Sequence, residues 1–255
     1  AAETGIGTLA LTDHDTVSGI SEATAAAAES GIKLIAGIEM EISWTPPGVF
    51  HLLGLGIDPE APALRGLLDT IQNARQQRNA QMISRMADHG INTDLDAIGS
   101  FADGTIITRP HFADFLVSIG KAKDRQGAFE HFLTPGKPFF EPHPGLDLAT
   151  AINAVHDSGG VAVLAHPLSL YVSWTRLAGL MSEWRSVGLD AIESWHPSAS
   201  WKDAQKLEKL ARTAGLRLSA GSDYHGEGRP DRTLGRSLEE RHKIDDSFLS
   251  LFDPR

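Results

Sequence analysis

Five short apolar runs in this chain end in, or lead directly into, histidine or carboxylate side chains, and helix-like stretches separate most of them. Thr8 to Thr12 runs into Asp13-His14-Asp15, and Lys33 to Ile38 runs into Glu39-Met40-Glu41. Val49 to Ile57 carries His51 near its start, Gly160 to Leu164 leads to His166-Pro167, and Leu216 to Ala220 leads to Gly221-Ser222-Asp223-Tyr224-His225. A further strand is expected over Leu189 to Ser194, and helices over Val17 to Ser30, Ala149 to His156 and Thr175 to Val187. Ala1 to Gly5 reads as the last turn of a helix closed by glycine. Pro46-Pro47-Gly48 predicts a turn, making the flanking strands a hairpin. Strands alternating with helices imply a parallel sheet or barrel, whose functional residues gather at the carboxyl ends of the strands.

From Pro59 to about Pro144 the period becomes helical, with Leu67, Ile71, Met82, Ile83 and Met86 spaced along one face. The expected organisation is therefore a first α/β part over 1–58, a helical insertion over 59–144 and a second α/β part over 145–255.

The chain contains no cysteine, so disulfides and thiolate ligands are excluded and a metal must be held by His, Asp and Glu. That ligand set suits Mn, Fe or Zn. No apolar run reaches the ~18 residues of a membrane span, and the Ala-rich start is not a signal peptide, so a cytoplasmic protein is expected. A net charge of -10 argues against long duplex nucleic acid as partner, but leaves room for a small phosphorylated substrate.

Taken singly, a His or Asp after a strand is explained by burial with a hydrogen-bond partner or by a helix cap. Recurrence at five strand ends is not. Carboxylates and imidazoles converging in one pocket repel unless cations neutralise them, so a cluster of two or three metals is the expected resolution. Paired metals clamp a phosphate and activate water, making phosphoester hydrolysis the first chemistry to consider.

Leu11-Thr12-Asp13-His14-Asp15, Gly37-Ile38-Glu39, His51-Leu52-Leu53-Gly54-Leu55-Gly56-Ile57, Ala165-His166-Pro167 and Gly221-Ser222-Asp223-Tyr224-His225 together resemble the PHP (polymerase and histidinol phosphatase) phosphoesterases. The resemblance covers nearly the whole chain. It implies a distorted (β/α)7 barrel with a helical insertion and a site of two or three divalent metal ions. His14, Glu39, His51, His166, Asp223 and His225 match ligand positions, and Asp13 and His14 are the expected catalytic residues. The family pattern opens with a strand bearing His-x-His, which these residues lack, so a preceding segment carrying that first strand is expected.

Arg75 and Arg78 lie three apart on a predicted helix and share a face, and Arg109-Pro110-His111 follows. Such arginines are often a solvated helix surface. Alternatively, guanidinium groups grip phosphate bidentately. With Thr134-Pro135-Gly136-Lys137-Pro138 they resemble the PHP branch acting on nucleoside 3′,5′-bisphosphates and on 5′ ends of short RNA. That resemblance implies Arg75, Arg78, Arg109 and His111 as substrate contacts, and a small nucleotide or short RNA as substrate. A histidinol-phosphate-type monoesterase, a non-catalytic nucleotide-binding module and a polymerase proofreading domain are the competing readings. His89, His131, His143, His156, His196 and His242 read as structural or surface residues; His196 follows a strand and could line the pocket, where packing or backing is weighed against a ligand role.

Overall fold

The computed structural model describes every residue except 46–47, 103–105, 143–144, 227–228 and 254–255. The turn expected at Pro46-Pro47 and the expectation for His143 fall outside the described residues. The chain divides into two compact units, Ala1–Leu68 with Gly145–Arg255, and Asp69–Pro144.

The first unit is α/β. A six-stranded sheet runs in the order β1 (Thr8–Leu11), β2 (Lys33–Ile42), β3 (Phe50–Leu55), β4 (Val161–Leu164), β5 (Ala191–Trp195), β6 (Arg217–Ala220). β1 pairs parallel with β2, β3 runs antiparallel to both of its neighbours, and β4, β5 and β6 are parallel. This mixed sheet with helices is the distorted-barrel type of architecture expected.

Helix α1 (Ile20–Ser30) ends at Gly31, whose φ of 67° suits a residue without a Cβ. It starts later than the expected Val17, because the Ile20 amide first closes a turn on the Val17 carbonyl. β2 is longer than expected and continues to Ile42, because its second half, Gly37 to Ile42, pairs with β3. β5 starts at Ala191 rather than Leu189, because the Leu189 amide closes the preceding helix on the Trp184 carbonyl. Alternation along the pleat puts Glu39, Glu41, His51 and Leu53 on one face, and Ile38, Met40 and Leu52 on the other. Glu39 is thus a strand-interior residue rather than the strand end expected.

α6 (Leu148–Asp157) is capped by Asp147, whose carboxylate accepts the Thr150 amide and hydroxyl, both at 2.9 Å. α7 (Trp174–Val187) is capped by Ser173. α8 (Trp201–Thr213), not anticipated from the sequence, opens with a Ser200/Asp203 capping box and buries Ala204, Leu207 and Ala211. A short hairpin, β7 (Arg236–Ser237) and β8 (His242–Lys243), follows.

The second unit is helical. It takes in most of α2 (Pro62–Asp88) and contains α3 (Leu95–Gly99), α4 (Arg109–Ser118) and α5 (Arg125–Ala128), with a π-helical turn over Phe129–Leu133. Its core gathers Met82, Met86, Ile98, Phe112, Leu116 and Phe139, all essentially inaccessible to solvent. Each such side chain contributes about 1.5–3 kcal/mol by burial.

Candidate active site

Residues from four parts of the sheet meet around Glu39. Cross-strand pairing sets Glu39 opposite Leu53 and Glu41 opposite His51, so Glu39 and His51 are diagonal neighbours on the same face. Past the end of β1, the Glu39 amide donates to the Asp13 carbonyl (3.1 Å), and the Asp15 amide donates to the Glu39 carbonyl (2.8 Å). That stitch brings His14 alongside Glu39.

The buried Glu39 carboxylate uses both oxygens. Oε1 lies 2.8 Å from His51 Nδ1 and 3.0 Å from His166 Nε2, and Oε2 lies 3.4 Å from His14 Nε2. Nδ1 of His51 and Nε2 of His166 are 3.2 Å apart. Asp223 forms the other side of the cluster. Its Oδ1 is 3.4 Å from His225 Nδ1, and its Oδ2 is 3.3 Å from His196 Nε2. The His14 and His225 rings lie 6.1 Å apart, and those of His166 and His196 lie 5.4 Å apart. The structure therefore gathers His14, Glu39, His51, His166, Asp223 and His225 in one unit.

Two of these rings have their tautomers determined by neighbours. Ser169 Oγ has one proton and donates it to the Val49 carbonyl (2.9 Å), so it must accept from His166 Nδ1 (2.8 Å). Nε2 of the neutral His166 ring is then a lone pair aimed at Glu39. His225 Nδ1 donates to the Asp223 carbonyl (2.8 Å), which leaves its Nε2 as the lone-pair atom. These backing contacts are the kind that orient metal-ligating imidazoles.

Backbone strain is present at the same place, as it also is at Tyr171 and over Leu238 to Glu240. Asp15, His166 and Asp223 have φ of 55°, 27° and 48°, left-handed conformations that cost about 1–3 kcal/mol each in a residue with a side chain. Beneath them lies the fully buried Glu193, whose Oε2 accepts the His166 amide at 2.8 Å. The Glu193 carboxylate occupies the space that a Cβ at Gly221 would need.

Electrostatics follow from this packing. Burial pushes the Glu39 carboxyl up, but hydrogen bonds from His166 and His51 and the charges of His14 and His51 outweigh it and hold Glu39 well below the usual range. Burial likewise opposes charge on His166, yet the hydrogen bond to Glu39 and the charges of Glu193, Glu39 and Asp223 raise it. Burial, helped by the charge of Asp223, pushes Glu193 up against the pull of His196 and His166. Burial pushes Asp223 up, but the close approach and charge of His196, and then the charge of His225, outweigh it and Asp223 is lowered.

The residues fit a divalent cation. A lone pair on His166 Nε2 facing a carboxylate oxygen at 3.0 Å is unfavourable unless a proton or a cation lies between them. Ligand-type atoms of His14, Glu39 and His51 all lie within 4.8 Å of one another. These hard oxygen and imidazole donors suit Mn, Fe or Zn.

The Asp13 side chain stands apart from these side-chain contacts: its Oδ2 lies 3.3 Å from where a Cβ at Gly19 would be, at the start of α1. The arginines belong to the helical unit. Arg78 is buried and donates to Asn79 Oδ1 at 3.3 and 2.9 Å, while Asn79 Nδ2 donates to the Ile107 carbonyl, so Arg78 is not a solvated surface residue. Arg75 is half-buried. The Arg109 guanidinium lies over the Phe140 ring at 5.6 Å. His111 Nδ1 accepts the Thr108 amide and closes the cap of α4. Lys137 lies in an exposed turn. His156, read as structural, pairs with Asp190 at 2.8 Å. His196, assigned to packing or backing from sequence, stands within reach of Asp223. Its signal was Trp195-His196-Pro197 directly after an apolar run, the same placement as His166.

No family model matches the chain. Among curated proteins it is 38% identical over 230 residues to a 3′,5′-nucleoside bisphosphate phosphatase of Chromobacterium violaceum, covering 90% of this chain and 80% of that protein. It is 35% identical over 221 residues to a 5′-3′ exoribonuclease of Haemophilus influenzae, covering 87% and 80%. A solved structure of an amidohydrolase from C. violaceum, with sulfate and no metal, superposes with a TM-score of 0.79 at 37% identity over 92% of this chain and 82% of that one. One described as a metal-dependent phosphoesterase of Bifidobacterium adolescentis superposes with a TM-score of 0.79 at 29% identity, covering 97% and 85%. With this likeness along nine-tenths of its length and a buried His-carboxylate cluster on a mixed sheet, the chain belongs to the PHP metal-dependent phosphoesterases.

Proposed function

We propose that this phosphoesterase hydrolyses phosphate esters of nucleotides, with nucleoside 3′,5′-bisphosphates or short 5′-phosphorylated RNA as its substrates. The carrying observation is the Glu39 carboxylate, flanked on one oxygen by His51 and His166 and on the other by His14. The relatives named as a bisphosphate phosphatase and an exoribonuclease support the substrate class. In this reading His14, Glu39, His51, His166, Asp223 and His225 hold two or three divalent ions, Mn, Fe or Zn. Bound there, the ions supply Lewis-acid polarisation of the phosphoryl oxygen and activation of water. Glu39 would supply carboxylate oxygens to the ions, while Ser169 and the Asp223 carbonyl keep the ligating face of His166 and His225 unprotonated. Asp13 acts with His14 beside the reacting phosphate.

Residues 59–144 form the substrate-recognition insertion between the barrel parts 1–58 and 145–255. Arg75, Arg78, Arg109 and His111 bind the phosphate that is not cleaved. A guanidinium offers parallel donors to phosphate, and one such charged hydrogen bond contributes about 1.5–3 kcal/mol.

The test is phosphate release by the natural polypeptide carrying this sequence, with Mn2+ and then with chelator, from adenosine 3′,5′-bisphosphate, AMP and histidinol phosphate. Metal-dependent turnover highest on the bisphosphate is expected. Arg75→Ala and Arg109→Ala should each lower kcat/KM on the bisphosphate by about 10- to 100-fold and spare monophosphates. Equal losses on both classes would point instead to a histidinol-phosphate-type monoesterase.

A further inference from the structure

His196 differs from the other site histidines in which nitrogen it presents. Its Nδ1 accepts the Ser198 amide at 3.1 Å and lies 2.6 Å from the Ser198 hydroxyl. A backbone N–H can only donate, so in the neutral ring Nδ1 is the acceptor and the proton sits on Nε2. His166 and His225 are fixed the opposite way, with the proton on Nδ1 and the lone pair on Nε2. Hence His196 turns a donor toward the cluster where its neighbours turn lone pairs.

That donor faces Asp223 Oδ2 at 3.3 Å, its side chain 6% exposed, and makes no aligned hydrogen bond among the described residues. Arg232 Nε, also buried and without an aligned partner among them, stands between the same oxygen at 3.8 Å and Asp231 Oδ2 at 3.6 Å. The other oxygen of Asp223 is turned to the His225 side. The ring is held in place by its backbone as well, since the His196 carbonyl accepts the Ala199 and Leu238 amides.

We propose that His196 is a positioning residue: its Nε2–H, backed by Arg232, engages Asp223 Oδ2 and directs Oδ1 to the metal. The inference rests on the metal reading above. A donor in this place restrains a carboxylate held at a left-handed φ, and it rejects a cation at Oδ2 because it offers that side no lone pair.

The experiment is Mn2+ titration of the natural polypeptide and its variants followed by EPR, with spin-echo counting of coordinated imidazole nitrogens. His196→Phe should weaken Mn2+ binding by about 10- to 100-fold, the range for outer-layer partners. The imidazole count should equal that of the wild type, and metal-free unfolding should be little changed. His196→Gln, which keeps an N–H at similar reach, should recover most of the affinity. His196→Asn, too short to reach, serves in place of the Phe variant should that protein fail to fold. Wild-type affinity in the donor-lacking variant overturns the inference, and so does loss of one coordinated imidazole, which would make His196 a ligand. A wild-type protein that takes up no Mn2+ overturns the metal reading and this inference with it.

Discussion

His166 Nε2 and Glu39 Oε1 stand 3.0 Å apart, each group largely withdrawn from water. In the metal-free protein a proton must serve where the site is built for a cation, and this fixes the pH dependence of stability. Glu39 is lowered from 4.5, so its contribution is present above that value and is lost as pH falls through the lower folded value. His166 is raised from 6.5, so its contribution is complete below that value and is lost as pH rises through the folded one. Chelated protein should thus be most resistant to urea between these limits and weaken on either side. Saturating Mn2+ should move the optimum upward, because ligands bind metal only when deprotonated. Urea midpoints across pH with and without metal check both statements, and a flat chelated profile would contradict them.

Glu39→Gln keeps the shape of the side chain and removes its charge. Mn2+ affinity should fall by at least about 100-fold, beyond the range of outer-layer partners, with turnover falling in parallel. Calorimetric metal titration reads the first effect and phosphate release the second.

Ser169→Ala removes the acceptor that fixes the His166 tautomer. A fall in metal affinity of about tenfold is expected, with unfolding free energy changed by no more than about 1 kcal/mol. Ser169→Thr should retain the wild-type values, since it keeps the hydroxyl.

Much of this architecture was legible in the sequence because it is written in local pattern. The runs Thr8 to Leu11 and Lys33 to Ile42 are apolar enough to declare themselves as strands, and Gly31 marks the end of α1 through its φ. α8 escaped, although Ser200 and Asp203 spell a capping box, because its charged surface hides the stripe of Ala204, Leu207 and Ala211. Register was also out of reach. That Glu39 lies inside a strand depends on β3 arriving alongside, and the closeness of His196 to Asp223 depends on β5 and β6 pairing, neither of which any single stretch encodes. The burial of Arg78 is likewise tertiary, since a helix face rich in Gln, Asn and Arg reads as solvated.

Gly221→Ala should destabilise the protein by about 1–3 kcal/mol, because the new Cβ must displace the buried Glu193 carboxylate. Combining it with Glu193→Ala should be less costly than the sum of the two single changes, as expected of residues competing for one space. A double-mutant cycle from urea unfolding measures the coupling.

β3 and β4 lie side by side with Leu52 against Leu164 and Leu55 against Val161, although the helical unit lies between them in the chain. His51 and His166 touch across 115 residues for the same reason. The entropy of closing such a loop grows only with the logarithm of its length, about 0.6 kcal/mol for each doubling. The connection from β3 to β4, where the chain passes into the helical unit and returns to α6, is therefore a graft point. A module of quite different size could be spliced there without re-threading the sheet, so that over evolution the strands carrying Glu39, His51 and His166 can keep their register while the inserted unit is rebuilt.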